Sequence, residues 1–406
     1  MKIYLNRQSL IDYLLVFLFY CVSGNPAFVG NPIFGKLMYF AMLVVLLVFS
    51  KGKFAKAAVR EIIFWTALLA VIFTVQFFSL GSVSVLASLN FIIRIVCAIL
   101  LAYYMNDRLP LAALKVMSAV CAVSLVFYVM NLLGVRFLEL VPISTQGESI
   151  VIYTQMLDLP GDSFLRNCGM FWEPGAFAGY IIATILLSVN NLKYIWDKYR
   201  MNCIVMVLAL LSTTSTTGYI ALAILVIYAV FSFSKSRKKA FFLIAPFVAI
   251  ILAAFLNLDF LGEKVRNELI KSVEVNGLQE DVSRTGSLLV DAQYIAEKPL
   301  FGNGLAMNTR FRFHSYFSEQ SLASFSNGFS GILASMGCIF FLLYILAIVS
   351  NETLEKKVFL ILMIVLLLQG EYFMNYPFFM IFPFADYGGE SKRRGFLKNV
   401  RFLIHE

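Results

Sequence analysis

Charge is what this 406-residue chain has least of: Asp, Glu, Lys and Arg make up 14% of it, against about 25% in soluble domains. With 60% apolar residues, 15% aromatic residues and a mean hydropathy of +0.82, a soluble core could not hide so much Leu, Ile, Val and Phe. That excludes an ordinary cytosolic enzyme, and the same ring-rich composition excludes disorder. The short alternating segments of an outer-membrane barrel are missing too; the apolar runs here are continuous. Histidine is nearly absent, with only His314 and His405. No CxxC, DxD pair or His cluster is available for zinc or magnesium. The cysteines offer no disulfide pair: Cys21, Cys97, Cys121, Cys203 and Cys338 fall in apolar runs, and only Cys168 lies in a connecting segment. No internal repeat, low-complexity tract or separate soluble domain is visible.

What is there is a series of apolar runs, each about 20 residues long, the length that crosses a bilayer as a helix. Spans are expected near 10–29, 33–50, 61–80, 85–105, 112–133, 174–190, 240–258 and 328–349. Two longer stretches, 202–233 and 358–386, are each broken by polar residues and read as hairpins of two short helices, for twelve spans in all. The run 10–29 lacks a small-x-small cleavage site and reads as a retained anchor. The fold class is therefore all-α, a single polytopic membrane domain over 1–406.

The net charge of +9 does not gather on one helix, so it reads as a topology signal and not as a nucleic-acid footprint. With both termini cytoplasmic, the inner connections carry 21 Lys and Arg and the outer ones 9, seven of them in one long loop. Three more, Lys36, Arg94 and Lys115, lie within spans. Two outer segments, 134–173 and the larger 259–327, are long enough to carry function. A short interfacial helix is expected around 259–281, where acidic and apolar residues alternate at helical spacing.

Four places could carry chemistry. In the run from Arg166 through Trp172-Glu173-Pro174 to Tyr180, Pro174 suits the first turn of a helix and forces Glu173 out of helical geometry onto its cap. This holds a carboxylate at the membrane surface near Arg166, and a plain capped helix with an ion pair is the competing reading. The hydroxyl run 212–218 could satisfy backbone or touch a sugar. The large loop carries Arg284, the turn 298–305 with Gly302 and Gly304, and then Arg310, Arg312 and His314 within five residues. Arginine presents a planar fork suited to phosphate oxygens. Arg94 lies mid-span, where a charge normally faces a polar cavity or a partner; Glu371 and Glu173 are candidate partners, and Arg94 is expected to face a lipid-phosphate cavity.

Taken in order, these pieces resemble the O-antigen polymerase (Wzy-type) family, within the wider group of bacterial polysaccharide polymerases and O-antigen ligases. Arg166…Gly169…Glu173-Pro174 matches an R-x-x-G-x-x-x-E-P element, and Ser215-Thr-Thr-Gly218 resembles the S-x-T-G element that follows. Arg284 with Pro299-Leu-Phe-Gly302-Asn-Gly304 matches R…P-x-x-G-x-G, Asn327-Gly328 resembles the start of the next helix, and Glu371…Pro377 fits the carboxyl-terminal part.

The resemblance implies a GT-C-type glycosyltransferase of the bacterial inner membrane, joining undecaprenyl-pyrophosphate-linked glycan units on the periplasmic side. Its partners would be that lipid-linked glycan, the bilayer and a chain-length regulator protein, with no nucleic acid, cofactor or metal. A departing diphosphate needs cations, and Arg166, Arg284 and at least one of Arg310 and Arg312 are expected to supply them. Glu173 or His314 would be the acceptor base, and Trp172 a stacking face for sugar. Glu371 resembles Arg94 in status, as a charge next to the membrane core. Related ligases place a His-Asn pair near His314, where this chain has Ser315; ligase activity is the same-class alternative. A transporter ranks lower, because the candidate groups gather at one surface instead of mid-membrane.

Overall fold

Backbone polar groups removed from water must bond within their own segment, which makes helices of the long apolar runs. The computed structural model describes residues 7–29, 32–50, 56–135, 148–155, 165–234, 236, 284–314, 327–350 and 352–385. Within them lie helices α1 (Arg7–Gly24), α2 (Pro26–Val29), α3 (Pro32–Phe49), α4 (Lys56–Leu80), α5 (Val85–Met105), α6 (Leu109–Leu132) and α7 (Pro174–Leu186). They are followed by α8 (Leu192–Ser212), α9 (Thr216–Phe233), α10 (Arg284–Glu297), α11 (Met307–Arg310), α12 (Gly328–Val349), α13 (Leu354–Gly370) and α14 (Pro377–Met380). A small hairpin pairs Glu148 with Gln155 and Ser149 with Thr154.

Helix starts follow side-chain chemistry. The hydroxyl of Ser84 accepts from the Ala87 amide at 3.3 Å, that of Ser215 from the Gly218 amide at 3.2 Å, and the Asn327 side chain from the Ser330 amide at 3.1 Å. Each satisfies an amide that has no partner inside the helix. At α7 the ring of Pro174 does the same work by having no N–H, and Glu173 is extended at φ −156°, ψ 164°.

One apolar core runs through α1, α4 to α7, α12, α13 and the carboxyl-terminal turns. Its largest fully buried side chains include Trp65, Tyr20, Tyr180 and Phe171. Aromatic rings knit distant segments together: Tyr20 lies 4.6 Å from Phe378, Phe171 stacks on Tyr180 at 4.2 Å, and Phe373 stacks on Phe379 at 4.1 Å. The outer faces are apolar as well. Phe78 is 81% exposed and Ile33 73%, which suits contact with lipid chains and not with water. Among the described residues, four helical stretches are long and apolar enough to cross a membrane: Lys56–Leu80, Val85–Leu132 (α5 and α6 taken together), Thr216–Phe233 and Gly328–Val349. The pair Pro174–Leu186 and Val189–Ser212, bent by 60°, adds a fifth if taken as one span. The chain is thus a mostly helical membrane protein.

Several boundaries differ from those read off hydropathy. The hydroxyl run does break 202–233 in two, with Thr214 at φ 49°. But α8 begins at Leu192 and is kinked at Tyr199, so most of the expected inner connection 190–201 is helix. The second arm of 358–386 is no helix of spanning length: after α13 the backbone proceeds as single turns, 373–375, 377–380 and 382–384. Pro377 and Pro383 lack the amides a continuous helix would need. Such irregular backbone is tolerated at membrane depth when protein surrounds it, and Phe378, Phe379 and Phe382 are buried. The stretches 240–258 and 259–281 lie outside the described residues.

One joint positions the site. Helix α12 is broken at Gly337, at φ 77° and ψ 171°, which takes its hydrogen-bond ladder apart. The turn 299–304 repairs the loss. The Ala334 carbonyl accepts from the Asn303 amide at 2.8 Å and that of Ser335 from the Gly304 amide at 3.0 Å. In return the amides of Cys338 and Ile339 donate to the carbonyls of Pro299 and Leu300 at 2.8 and 3.3 Å. Gln76 of α4 closes the joint, donating to Ser335 at 2.9 Å and to Phe301 at 2.5 Å. Two carbonyls and two amides next to the kink are thereby paired. A Cβ at Gly302 would strike the Ser335 carbonyl, and one at Gly337 the Leu300 carbonyl.

Candidate functional site

The joint holds a short stretch of loop over the bundle, and a cavity of about 400 Å³ opens between the two. On the loop side, α10 packs against α12 and buries Asp291, which is 1% exposed. Arg310, at the end of α11, is 6% exposed and pairs with it, Nη2 donating to Asp291 Oδ1. The other carboxylate oxygen accepts from the Ser330 hydroxyl at 2.6 Å. The guanidinium of Arg310 also lies over two rings, 5.2 Å from Tyr294 and 4.6 Å from Phe311. Its Nη1 is buried with no hydrogen-bond partner among the described residues. Burial pushes the Asp291 carboxyl above its ordinary value, opposed by the charge of Arg310 and by the hydrogen bonds from Ser330 and Arg310.

On the bundle side, Arg94 of α5 and Lys36 of α3 line the same cavity. Arg94 Nη1 donates to the Asn375 carbonyl at 2.5 Å, a group available because the chain there turns instead of continuing a helix. Its guanidinium sits 4.5 Å over the ring of Tyr39. Among the described residues, no ion pair joins it to Glu371 or Glu173, and its Nε is buried without a hydrogen-bond partner. Three cations and one carboxylate among the described residues thus line the same cavity, and two guanidinium nitrogens have no hydrogen-bond partner there. An unpaired buried donor costs about 1–3 kcal/mol.

The other candidate residues lie elsewhere. Arg166 is tied to the hydroxyl run: its Nε donates to Thr214 Oγ1 at 2.8 Å and to the Thr213 carbonyl at 3.2 Å, and its Nη2 to the Thr214 carbonyl at 3.3 Å. The Arg166–Glu173 ion pair of the competing reading is not among the ion pairs of the described residues. Trp172 packs on Tyr376, a wall residue of the cavity, with ring centroids 4.8 Å apart. Glu371 is buried and borders a small cleft with Gly218 and Phe373. Arg312, two residues beyond Arg310, turns away to pair with Glu297 near the surface. Arg284 opens α10 and His314 ends a single turn, 312–314, their side chains lying outside the description.

The sequence reading missed Lys36 and Asp291 as members of a site. Lys36 is a charge within an apolar run, the same signal that singled out Arg94. Asp291 is a lone acid amid Ser287-Leu-Leu-Val and Ala292, and its pairing with Arg310 is a matter of tertiary structure.

No curated protein and no solved structure matches this chain. Residues 201–345 match the family model described as O-antigen ligase. The matched stretch contains the hydroxyl run, α10 with Asp291, the turn 299–304, Arg310 and the kinked helix; Lys36, Arg94 and Asn375 fall outside it. The match supports the O-antigen ligase/polymerase group for this chain, without separating polymerase from ligase.

Proposed function

We propose that this protein is a polymerase of surface polysaccharide, joining glycan units carried on undecaprenyl pyrophosphate, with Arg94 and Arg310 holding the diphosphate. The observation that carries this reading is the cavity: two incompletely bonded guanidinium groups, the half-buried Arg94 from the bundle and the buried Arg310 from the loop, line a space with room for an anion. An acceptor hydroxyl would attack the anomeric carbon of the lipid-linked sugar. The bond to the diphosphate oxygen breaks, the leaving group takes the electron pair, and the hydroxyl proton passes to a base. Cations held in a dry site stabilise the charge that grows on the leaving oxygen. Glu173, extended at the start of α7 next to Trp172, which packs on the cavity residue Tyr376, is the base this reading favours, with His314 as the other candidate. The reaction runs without metal, so polymer formation in a purified system should persist in EDTA.

The same reading sets the enzyme in the inner membrane with twelve spans in a GT-C-type architecture, both termini inside, and 134–173 and 259–327 on the periplasmic side. Cysteine labelling that reached 259–327 only from the cytoplasm would overturn that arrangement. A ligase is the second reading, favoured by the description of the matched family; it uses the same leaving group and differs in acceptor. The glycan ladder of a deletion strain separates them. Loss of long chains with one repeat still on the lipid core indicates a polymerase, whereas loss of every attached repeat indicates a ligase.

A further inference from the structure

The cavity has a third cation that the proposed chemistry has not yet used. Lys36 stands on α3 three residues before Tyr39, so the two share one helix face. Tyr39 is 4% exposed and carries the guanidinium of Arg94, while Ile33, Leu37 and Phe40 are more than half exposed, so Lys36 stands where the inward face of α3 meets its outward one. Lys36 therefore enters the cavity one helical turn from the seat of Arg94. It makes no hydrogen bond or ion pair among the described residues. An ammonium in an apolar run is costly and persists where it faces a partner or a cavity. Across the cavity, the only carboxylate among the described lining residues, Asp291, is already engaged on both oxygens, by Arg310 and by Ser330.

We infer that Lys36 is a substrate-binding residue that, with Arg94, forms the bundle-side half of a diphosphate clamp whose loop-side half is Arg310. The ligand class is a diphosphate, free or at the head of a lipid, because two phosphates can engage both walls at once. A compact ammonium suits this place as a point charge that adapts to either phosphate, while the arginines fix orientation. The inference rests on the proposed function for its substrate and can fail separately from it.

The test uses full-length protein in nanodiscs, with Lys36→Gln, Lys36→Met and Lys36→Arg beside wild type. Binding of inorganic pyrophosphate and of undecaprenyl pyrophosphate is measured by calorimetry, and thermal melting verifies folding. Lys36→Gln and Lys36→Met should weaken binding of at least one of the two by tenfold or more, and Lys36→Arg by less than about threefold; which probe responds tells whether the head group alone suffices. In a transfer assay the KM for the lipid-linked donor should rise more than kcat falls, as expected when ground-state binding is lost. Unchanged affinity for both probes in a folded Lys36→Gln or Lys36→Met protein overturns the inference, even if wild type transfers glycan. Lys36-dependent binding by a protein that transfers no glycan would sustain the clamp and sink the proposed function.

Discussion

Arg310 and Arg312 sit two residues apart on one loop and have opposite surroundings. Arg310 is 6% exposed, paired with a carboxylate that is itself buried, placed over two rings, and left with one nitrogen that has no hydrogen-bond partner among the described residues. Arg312 pairs with Glu297 where both side chains are about a quarter to a third exposed, 26% and 35%. The difference comes from α11, which ends at Arg310 and turns the next residues outward into the turn 312–314. In low dielectric a cation interacts strongly with an incoming anion; near solvent much of that strength is screened. Residue type thus says little about which arginine could meet a substrate, and enclosure says most.

The sharpest way to break this comparison is Arg310→Ala, which should lower glycan transfer by about 10²–10³-fold, the range for losing a preorganised donor to a developing anion. The single change also strands Asp291, and uncompensated buried charges cost about 3–5 kcal/mol. The double variant Arg310→Ala/Asp291→Asn removes that charge. It should melt closer to wild type and remain as inactive, so a double variant that regains activity along with stability would reduce Arg310 to a structural role.

Next in size is Gly337→Ala. The positive φ costs a non-glycine residue about 1–3 kcal/mol, and the new methyl would meet the Leu300 carbonyl. The turn 299–304 should then detach from α12 and release the loop that carries Arg310. Transfer should fall by tenfold or more, and the segment 299–314 should become more accessible to protease. Wild-type protease resistance in this variant would show that Arg310 is held independently of the joint, and the contrast with Arg312 would then need another cause.

How far this arrangement was legible in the sequence depends on the range of the interaction. Helix starts at Ser215, Asn327 and Pro174 rest on local chemistry and were readable, as was the extended geometry of Glu173. The exposure of Arg94 to a polar cavity followed from the cost of a charge in an apolar run, and the same reasoning extends to Lys36. The role of Gly302 and Gly304 was not readable, because their partners are the carbonyl of Ser335 and the break at Gly337, set by tertiary packing. Likewise no periodicity connects Arg310 with Asp291, or Arg166 with the Thr213 and Thr214 carbonyls. The carboxyl-terminal turns were misread as a spanning arm because hydropathy registers Phe-rich burial and not the breaks imposed by Pro377 and Pro383.

Arg166→Ala should have a moderate effect of a structural kind. It removes three hydrogen bonds that hold the break between α8 and α9, and hydrogen bonds to a charged group contribute about 1.5–3 kcal/mol each, not additively. The melting temperature should drop by several degrees, with the donor KM within about threefold of wild type. A large rise in KM at unchanged stability would instead put Arg166 in contact with substrate and widen the site beyond the cavity.

The smallest effect is expected from Arg312→Ala. Its pair with Glu297 lies near solvent, where such pairs contribute about 0–1 kcal/mol and salt weakens them further. The stem of Arg312 also covers Phe313, with the guanidinium 4.7 Å from the ring, so a little packing is lost along with the charge. Transfer should stay within about twofold of wild type, and the small change in stability should disappear in high salt, where the pair is already screened in the wild-type protein. This variant is the control that gives the Arg310 result its meaning, since it removes the same functional group two residues away. If Arg312→Ala abolished transfer while melting normally, the surface arginine would have to reach the donor in the working enzyme. Enclosure in the resting cavity would then be the wrong criterion for choosing between the two.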